Sequence, residues 1–183
     1  MKSPIVYFDT SFFCGLLDNV SGREAEAQKI VNYERKEGSE IYTSIMTINE
    51  FIIKTYDKHH AASDVDDKVK ESVTSIRRIA KIYAFNEDVA KEAARLQSAW
   101  GRHRSVIGEG RDRKFRWDAI HLASANLLHA TRVYAWDGVW PDVPLSLIPN
   151  VTKLISPALV PMEPLFPENT KATAEGGSVE NGS

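Results

Sequence analysis

Four acidic residues are placed where they could do chemistry together. Asp9 closes the apolar run Ile5-Val6-Tyr7-Phe8, and Asp137 closes Val133-Tyr134-Ala135-Trp136. Glu50 and Asp118 fall near the starts of two expected helices between them. Carboxylates at the C-terminal ends of parallel strands converge where open α/β sheets bind ligands. Gathered in one pocket they repel each other at neutral pH, which implies a divalent cation. Mg2+ and Mn2+ prefer oxygen ligands and keep several waters, so four carboxylates can serve one ion or two. A metal pair roughly 3.5–4 Å apart is a common engine of phosphodiester cleavage, one ion acidifying the attacking water and the other stabilising the leaving oxygen.

Each acid also has a plain structural role open to it. Asp9 could cap the helix that follows, which is compatible with ligation. Glu50 could be a solvated helix residue. Asp118 suits the first turn of any helix through the dipole, and Asp137-Gly138 is a common turn. The functional reading rests on all four together.

The elements that must carry these residues can be read from hydrophobic period and punctuation. Ile5 to Phe8 reads as a buried strand and Ser11 to Leu17 as a short helix. Gly22 to Lys36 reads as a helix with Ala27, Ile30 and Val31 inward and Gly38 as its stop. Glu40 to Thr43 is expected as a strand. Ile45 to Tyr56 is expected as a helix with Ile45, Ile48, Ile52 and Tyr56 near one face. Asp64 to Ile79 is a polar helix, acidic at its start and basic at its end, followed by a strand over Lys81 to Phe85. Asn86 is a suitable N-cap for a helix carrying Val89, Ala93, Leu96 and Trp100 on one face. Gly101 to Arg116 lacks periodicity and reads as a loop. Trp117 to Ala130 is a helix with Ile120, Ala123 and Leu127 inward. Val133 to Trp136 is a fourth strand, and a weak fifth is expected between Val143 and Ile148. Alternation of strand and helix predicts a parallel sheet with helices on both faces. Residues 1–160 form the expected domain. Residues 161–183, rich in Glu, Asn, Thr, Gly and Ser, read as a disordered tail.

The composition is that of an ordinary soluble domain: 183 residues, 43% apolar and a formal charge of −2. One cysteine, Cys14, excludes an internal disulfide and a thiolate metal cage, and fits a reducing cytoplasm. No run of apolar residues approaches a membrane span, and the first strand is too short for a signal peptide.

Four segments give the chain its resemblance to a known family. They are Val6-Tyr7-Phe8-Asp9-Thr10-Ser11, Thr43-Ser44-Ile45-Met46-Thr47-Ile48-Asn49-Glu50-Phe51, Trp117-Asp118-Ala119-Ile120-His121-Leu122-Ala123-Ser124-Ala125 and Tyr134-Ala135-Trp136-Asp137. From about Ile5 to Ile148 the chain resembles PIN-domain proteins, the nuclease fold of VapC-type toxins in type II toxin–antitoxin pairs. The third segment is the most specific. The resemblance implies a three-layer α/β/α fold with a central, mostly parallel sheet of four or five strands. It implies a Mg2+- or Mn2+-dependent endoribonuclease, with Asp9, Glu50, Asp118 and Asp137 as the catalytic metal ligands. Ser11 would be a hydroxyl orienting Asp9 or a metal water. A protein antitoxin and a homodimer are further implications. The chain departs from the family at Ala135, where Thr or Ser is frequent two positions before the last Asp.

Beside Asp118 lies a basic segment: Arg102, His103, Arg104, Arg111, Arg113, Lys114 and Arg116, only partly offset by Glu109 and Asp112. It is either a solvated loop or a holder of RNA phosphates. Arg111, Arg113, Lys114 and Arg116 are the candidates, with Arg116 the expected phosphate clamp. His121, three residues after Asp118, shares its helical face and reads as a pocket-edge polar group or a general acid. His59-His60 reads as surface, Cys14 and Trp136 as core, and Trp140 as a base-stacking surface. A catalytically inactive PIN-like RNA- or partner-binding module is the competing reading, and Ala135 is the feature in its favour. A haloacid-dehalogenase-type phosphatase needs a second Asp where Ser11 stands. A receiver domain needs an acidic pair near its N-terminus, which is missing here.

Overall fold

The computed structural model describes residues 3–18, 20–106, 115–136 and 143–156. Five strands form one wholly parallel sheet: β1 (Ile5–Phe8), β2 (Glu40–Ser44), β3 (Lys81–Tyr83), β4 (Arg132–Tyr134) and β5 (Lys153–Ile155), in the order β3-β2-β1-β4-β5. Among the described residues six α-helices accompany them: α1 (Thr10–Leu17), α2 (Glu24–Lys36), α3 (Ile45–His59), α4 (Val65–Ile79), α5 (Glu87–Val106) and α6 (Phe115–Leu127). This is the three-layer α/β/α architecture expected from the sequence.

Strand alternation divides the core in two. Val6 and Phe8 of β1, with Tyr134 and Trp136, face a cluster built from α1, α2, α3 and α4. Tyr7 of the same strand, with Val133 and Ala135, faces α5 and α6. The central strand is therefore covered on both sides, as a parallel sheet requires. Among the described residues no helix is long and apolar enough to cross a membrane.

Several expected elements shift. α5 continues through Gly101 to Val106, where a loop was expected. A single helical glycine costs only about 1 kcal/mol, and a Cβ at Gly101 would meet no atom within 4 Å, so packing does not forbid the helix. α6 begins at Phe115 rather than Trp117, and it is buried around most of its circumference: Ala119, His121, Leu122, Ala123, Ser124, Ala125 and Asn126 are all inside. The expected stripe of Ile120, Ala123 and Leu127 is thus too narrow, and Ile120 and Leu127 are only partly covered. The small residues let α6 lie close to α5, and Asn126 ties its end to Glu92 and to Asn150.

The fifth strand is Lys153–Ile155, while Leu145–Leu147 of the expected strand forms a 3-10 turn. On α3 the buried face is Thr47, Ile48, Phe51 and Thr55, and Ile45 and Tyr56 are exposed. The inward threonines are satisfied by Thr43 Oγ1 to Thr47 Oγ1 at 2.7 Å and by Thr55 Oγ1 to the Phe51 carbonyl at 2.8 Å, so polarity did not keep them outside. Gly38, at φ +70°, ends α2 as expected. The expected tail, residues 161–183, lies outside the described residues.

Candidate functional site

The strand order reverses between β1 and β4: the chain leaves β1 toward β2 and β3, then returns to β4 on the other side. Such a switch point leaves a crevice at the carboxyl ends of the strands. Asp9 follows β1 there, and its N–H donates to the Tyr134 carbonyl at 3.1 Å, continuing the β1–β4 ladder.

Asp9 is 2% exposed. It caps α1, accepting from the Phe12 N–H at 2.9 Å, and it also accepts from the Ser11 hydroxyl at 2.8 and 3.0 Å. The Ser11 Oγ in turn accepts from the Trp136 N–H at 2.6 Å. Ser11 therefore couples Asp9 to the backbone two residues after β4, at the residue before Asp137 in the sequence. The capping role and the site role of Asp9 coincide.

Glu50 reaches the same crevice from the second turn of α3, a helix capped by the Ser44 hydroxyl on the Met46 N–H. Its Oε2 accepts from the Thr10 hydroxyl and meets His121 Nε2 at 3.3 Å. The other ring nitrogen of His121 meets the Tyr7 hydroxyl at 2.8 Å and the Ser44 hydroxyl at 3.3 Å. An ionised carboxylate only accepts. In the neutral tautomer that serves both contacts, Nε2 carries the proton and Nδ1 accepts from Tyr7. Burial pushes the Tyr7 phenol well up, so it stays a neutral donor. Burial also pushes the Glu50 carboxyl upward, but the hydrogen bonds from His121 and Thr10 and the nearby Lys54 ammonium outweigh it and hold Glu50 below its ordinary value.

Asp118 stands in the first turn of α6. Asp9, Glu50 and Asp118, from three separate elements, line one cleft of about 310 Å3 together with Ser11, Lys54, Trp117 and His121. His121 is 2% exposed, so it acts on the cleft through Glu50 and Thr10. Asp137, Arg111, Arg113, Lys114 and Trp140 lie outside the described residues. Arg116 is exposed on α6, two residues from Asp118. Trp136 is core: it packs on Phe12 at 5.1 Å between centroids, under the Arg23 guanidinium at 5.5 Å. Ala135 is buried in the α5/α6 core.

Four participants escaped the sequence reading: Thr10, Tyr7, Lys54 and Trp117. Thr10 lies between two expected site residues, and Lys54 stands one helical turn after Glu50; those spacings were the available signals. Tyr7 reads as an ordinary strand residue until β1 is set against α6. Trp117 is 49% exposed at the cleft.

Among the described residues, no group of three or more His, Cys, Asp or Glu side chains is gathered closely enough to hold a metal ion as it stands. The acids of the cleft are nevertheless hard oxygen donors, which suit Mg2+ or Mn2+ and not softer metals.

No protein-family model matches the chain, and no curated protein matches its sequence. Solved structures do. A chain of the VapBC2 complex from Rickettsia felis, bound to a DNA fragment from its promoter, superposes with a TM-score of 0.55 at 10% identity, covering 82% of this chain and 97% of that one. A chain of VapBC-1 from nontypeable Haemophilus influenzae gives 0.54 at 14% identity, covering 83% and 97%. At these identities the likeness is one of fold: the three-layer α/β/α arrangement expected from the sequence.

Proposed function

We propose that this chain is a divalent-metal-dependent endoribonuclease, the toxin of a VapBC-type toxin–antitoxin pair. The observation that carries the reading is the meeting of Asp9, Glu50 and Asp118 in one cleft at the switch point of a VapC-type fold. Asp137, three residues after β4 and outside the described residues, is the proposed fourth acid. These acids would hold Mg2+ or Mn2+, which supplies a Lewis acid for the phosphate and lowers the pKa of a water.

The chain's own residues do the positioning. Ser11 and the Phe12 N–H fix Asp9, and Thr10 and His121 aim Glu50, with Tyr7 and Ser44 holding the imidazole. Water attacks phosphorus and the 3′ oxygen leaves, so a 5′-phosphate results without a nucleophilic side chain. Arg116, with Arg111, Arg113 and Lys114, would hold the RNA backbone, and the exposed Trp117 ring would stack a base. The acidic cleft is the surface an antitoxin would block, and a homodimer is the proposed assembly.

A second reading is an inactive PIN-like module that binds RNA or a partner. It is favoured by the apolar Ala135, which is buried in the α5/α6 core.

Cleavage of total cellular RNA separates the two, run with Mn2+, with Mg2+ and with EDTA beside Asp9→Asn. The nuclease reading expects metal-dependent cleavage, lost by roughly 100-fold or more in the variant, the scale of removing a preorganised electrostatic group. Wild-type protein that binds RNA and metal but never cleaves would transfer the case to the inactive module.

A further inference from the structure

Lys54 is the cation of the acidic cleft, and nothing in the mechanism above uses it. It stands one turn after Glu50 on α3, is accessible to solvent, and lines the cleft with Asp9, Glu50 and Asp118. Its ammonium lies 2.9 Å from the Cys14 sulfur. Cys14 is buried, and that burial pushes its thiol up despite the nearby lysine. A neutral thiol is a weak acceptor, so the contact is a resting place that a stronger acceptor would displace. A purely structural lysine would have no need of this partner, because water already solvates it.

A second observation gives Lys54 a direction. The same side chain lines a second groove of about 300 Å3 between α3 and α4, where Lys58 and Lys68 stand with Asp18 and Glu71, and Lys68 is paired with Asp64. Lys58 is one further turn along α3, and Asp18 is 3.9 Å from its ammonium. Lys54 thus lines both the carboxylate cleft and the α3/α4 groove, in which Lys58 is the lysine one turn further along α3. A chain of alternating phosphates is the ligand that satisfies both parts: one phosphate among the acids with their metal, the next among the lysines.

We propose that Lys54 is a phosphate-binding residue of the cleft, leaving Cys14 to contact a non-bridging oxygen of single-stranded RNA, and that the backbone continues into the α3/α4 groove beside Lys58. The inference rests on the ribonuclease reading for its substrate. A phosphate oxygen accepts a charge-assisted hydrogen bond that a thiol cannot match.

The variants Lys54→Met and Lys54→Arg test it. Methionine keeps the apolar stem and removes the charge; arginine restores a charge. Cleavage of a short single-stranded RNA should lose roughly 10–100-fold in kcat/KM in K54M, the loss of one charge-assisted hydrogen bond, and recover in part in K54R. Binding of the same RNA in EDTA should show its salt slope reduced by about 0.7 in K54M and restored in K54R. Mn2+ should bind K54M more tightly than wild type, because a like charge has left the acidic cleft, so metal affinity and turnover move in opposite directions.

Three results would overturn the inference. One is wild-type turnover in K54M with tighter Mn2+ binding, which would make Lys54 only a stand-in for the metal's charge. Another is an unchanged salt slope, and the third is K54R no better than K54M. Wild-type protein that never cleaves RNA would remove the nuclease reading alone, and the salt slopes would still decide Lys54.

Discussion

Glu34 and Glu50 are two carboxylates of one molecule in opposite circumstances. Glu34, on α2, is fully buried. Its Oε1 accepts from Arg132 Nε at 2.8 Å and from the Tyr134 hydroxyl at 2.6 Å; its Oε2 accepts from Arg132 Nη2 at 2.6 Å and from the Ser39 hydroxyl at 2.7 Å. Four donors meet four lone pairs, and a guanidinium neutralises the charge in bidentate geometry. Such a carboxylate has no capacity left for a ligand. Glu50 has a quarter of its side chain exposed and is held by a hydroxyl and an imidazole, with no guanidinium in contact with it among the described residues. What separates a structural carboxylate from a candidate ligand is therefore the charge of its partners, since both are hydrogen-bonded.

That contrast can be broken first on the structural side. Arg132→Met should cost about 3–5 kcal/mol, because it leaves the Glu34 charge buried and unpaired. The double variant Glu34→Met, Arg132→Met should recover most of that stability. Urea denaturation measures both, and a single variant costing under about 1 kcal/mol would show that Glu34 is not the saturated, charge-paired group described.

The cleft should respond in the opposite way. Mn2+ at roughly 100 times its Kd should stabilise the wild type by about 2.7 kcal/mol, seen as a higher melting temperature. Asp118→Asn should lose most of that response while melting close to wild type without metal. A metal response equal in the variant and the wild type would remove Asp118 from the ligand set.

The smallest effect concerns Trp117. Trp117→Ala should weaken binding of single-stranded RNA by about 1 kcal/mol, the low end for a stacked base, and leave the melting temperature unchanged because the ring is half exposed. A large loss of stability with RNA binding intact would make Trp117 a packing residue instead.

Much of this arrangement was legible along the chain, where the cause is local. Short unbroken apolar runs mark β1 and β4, and helical spacing marks Ala27, Ile30 and Val31. Asp9 and Asn86 cap the helices they precede, as expected. Local patterns fail where partners are remote. Gly101 and the charged run after it suggest a loop, yet α5 runs on to Val106. Helix α6 shows no single apolar stripe because the sheet, α5 and α3 approach it from different sides. The fifth strand is misplaced because a three-residue edge strand is recognisable only by its partner, β4.

By itself the sequence determined most of the element order, the placement of an acid at the end of β1, and the three acids, Asp9, Glu50 and Asp118, that line the cleft. Those follow from steric and hydrophobic preferences acting over a few residues. Only the tertiary structure decided what holds each acid. Tyr7 reaches His121 across 114 positions, Thr10 reaches Glu50 across 40, and Lys54 reaches Cys14 across 40. Such contacts exist because β1 is clamped between β2 and β4 in one register, and register is a property of paired strands that no single segment contains.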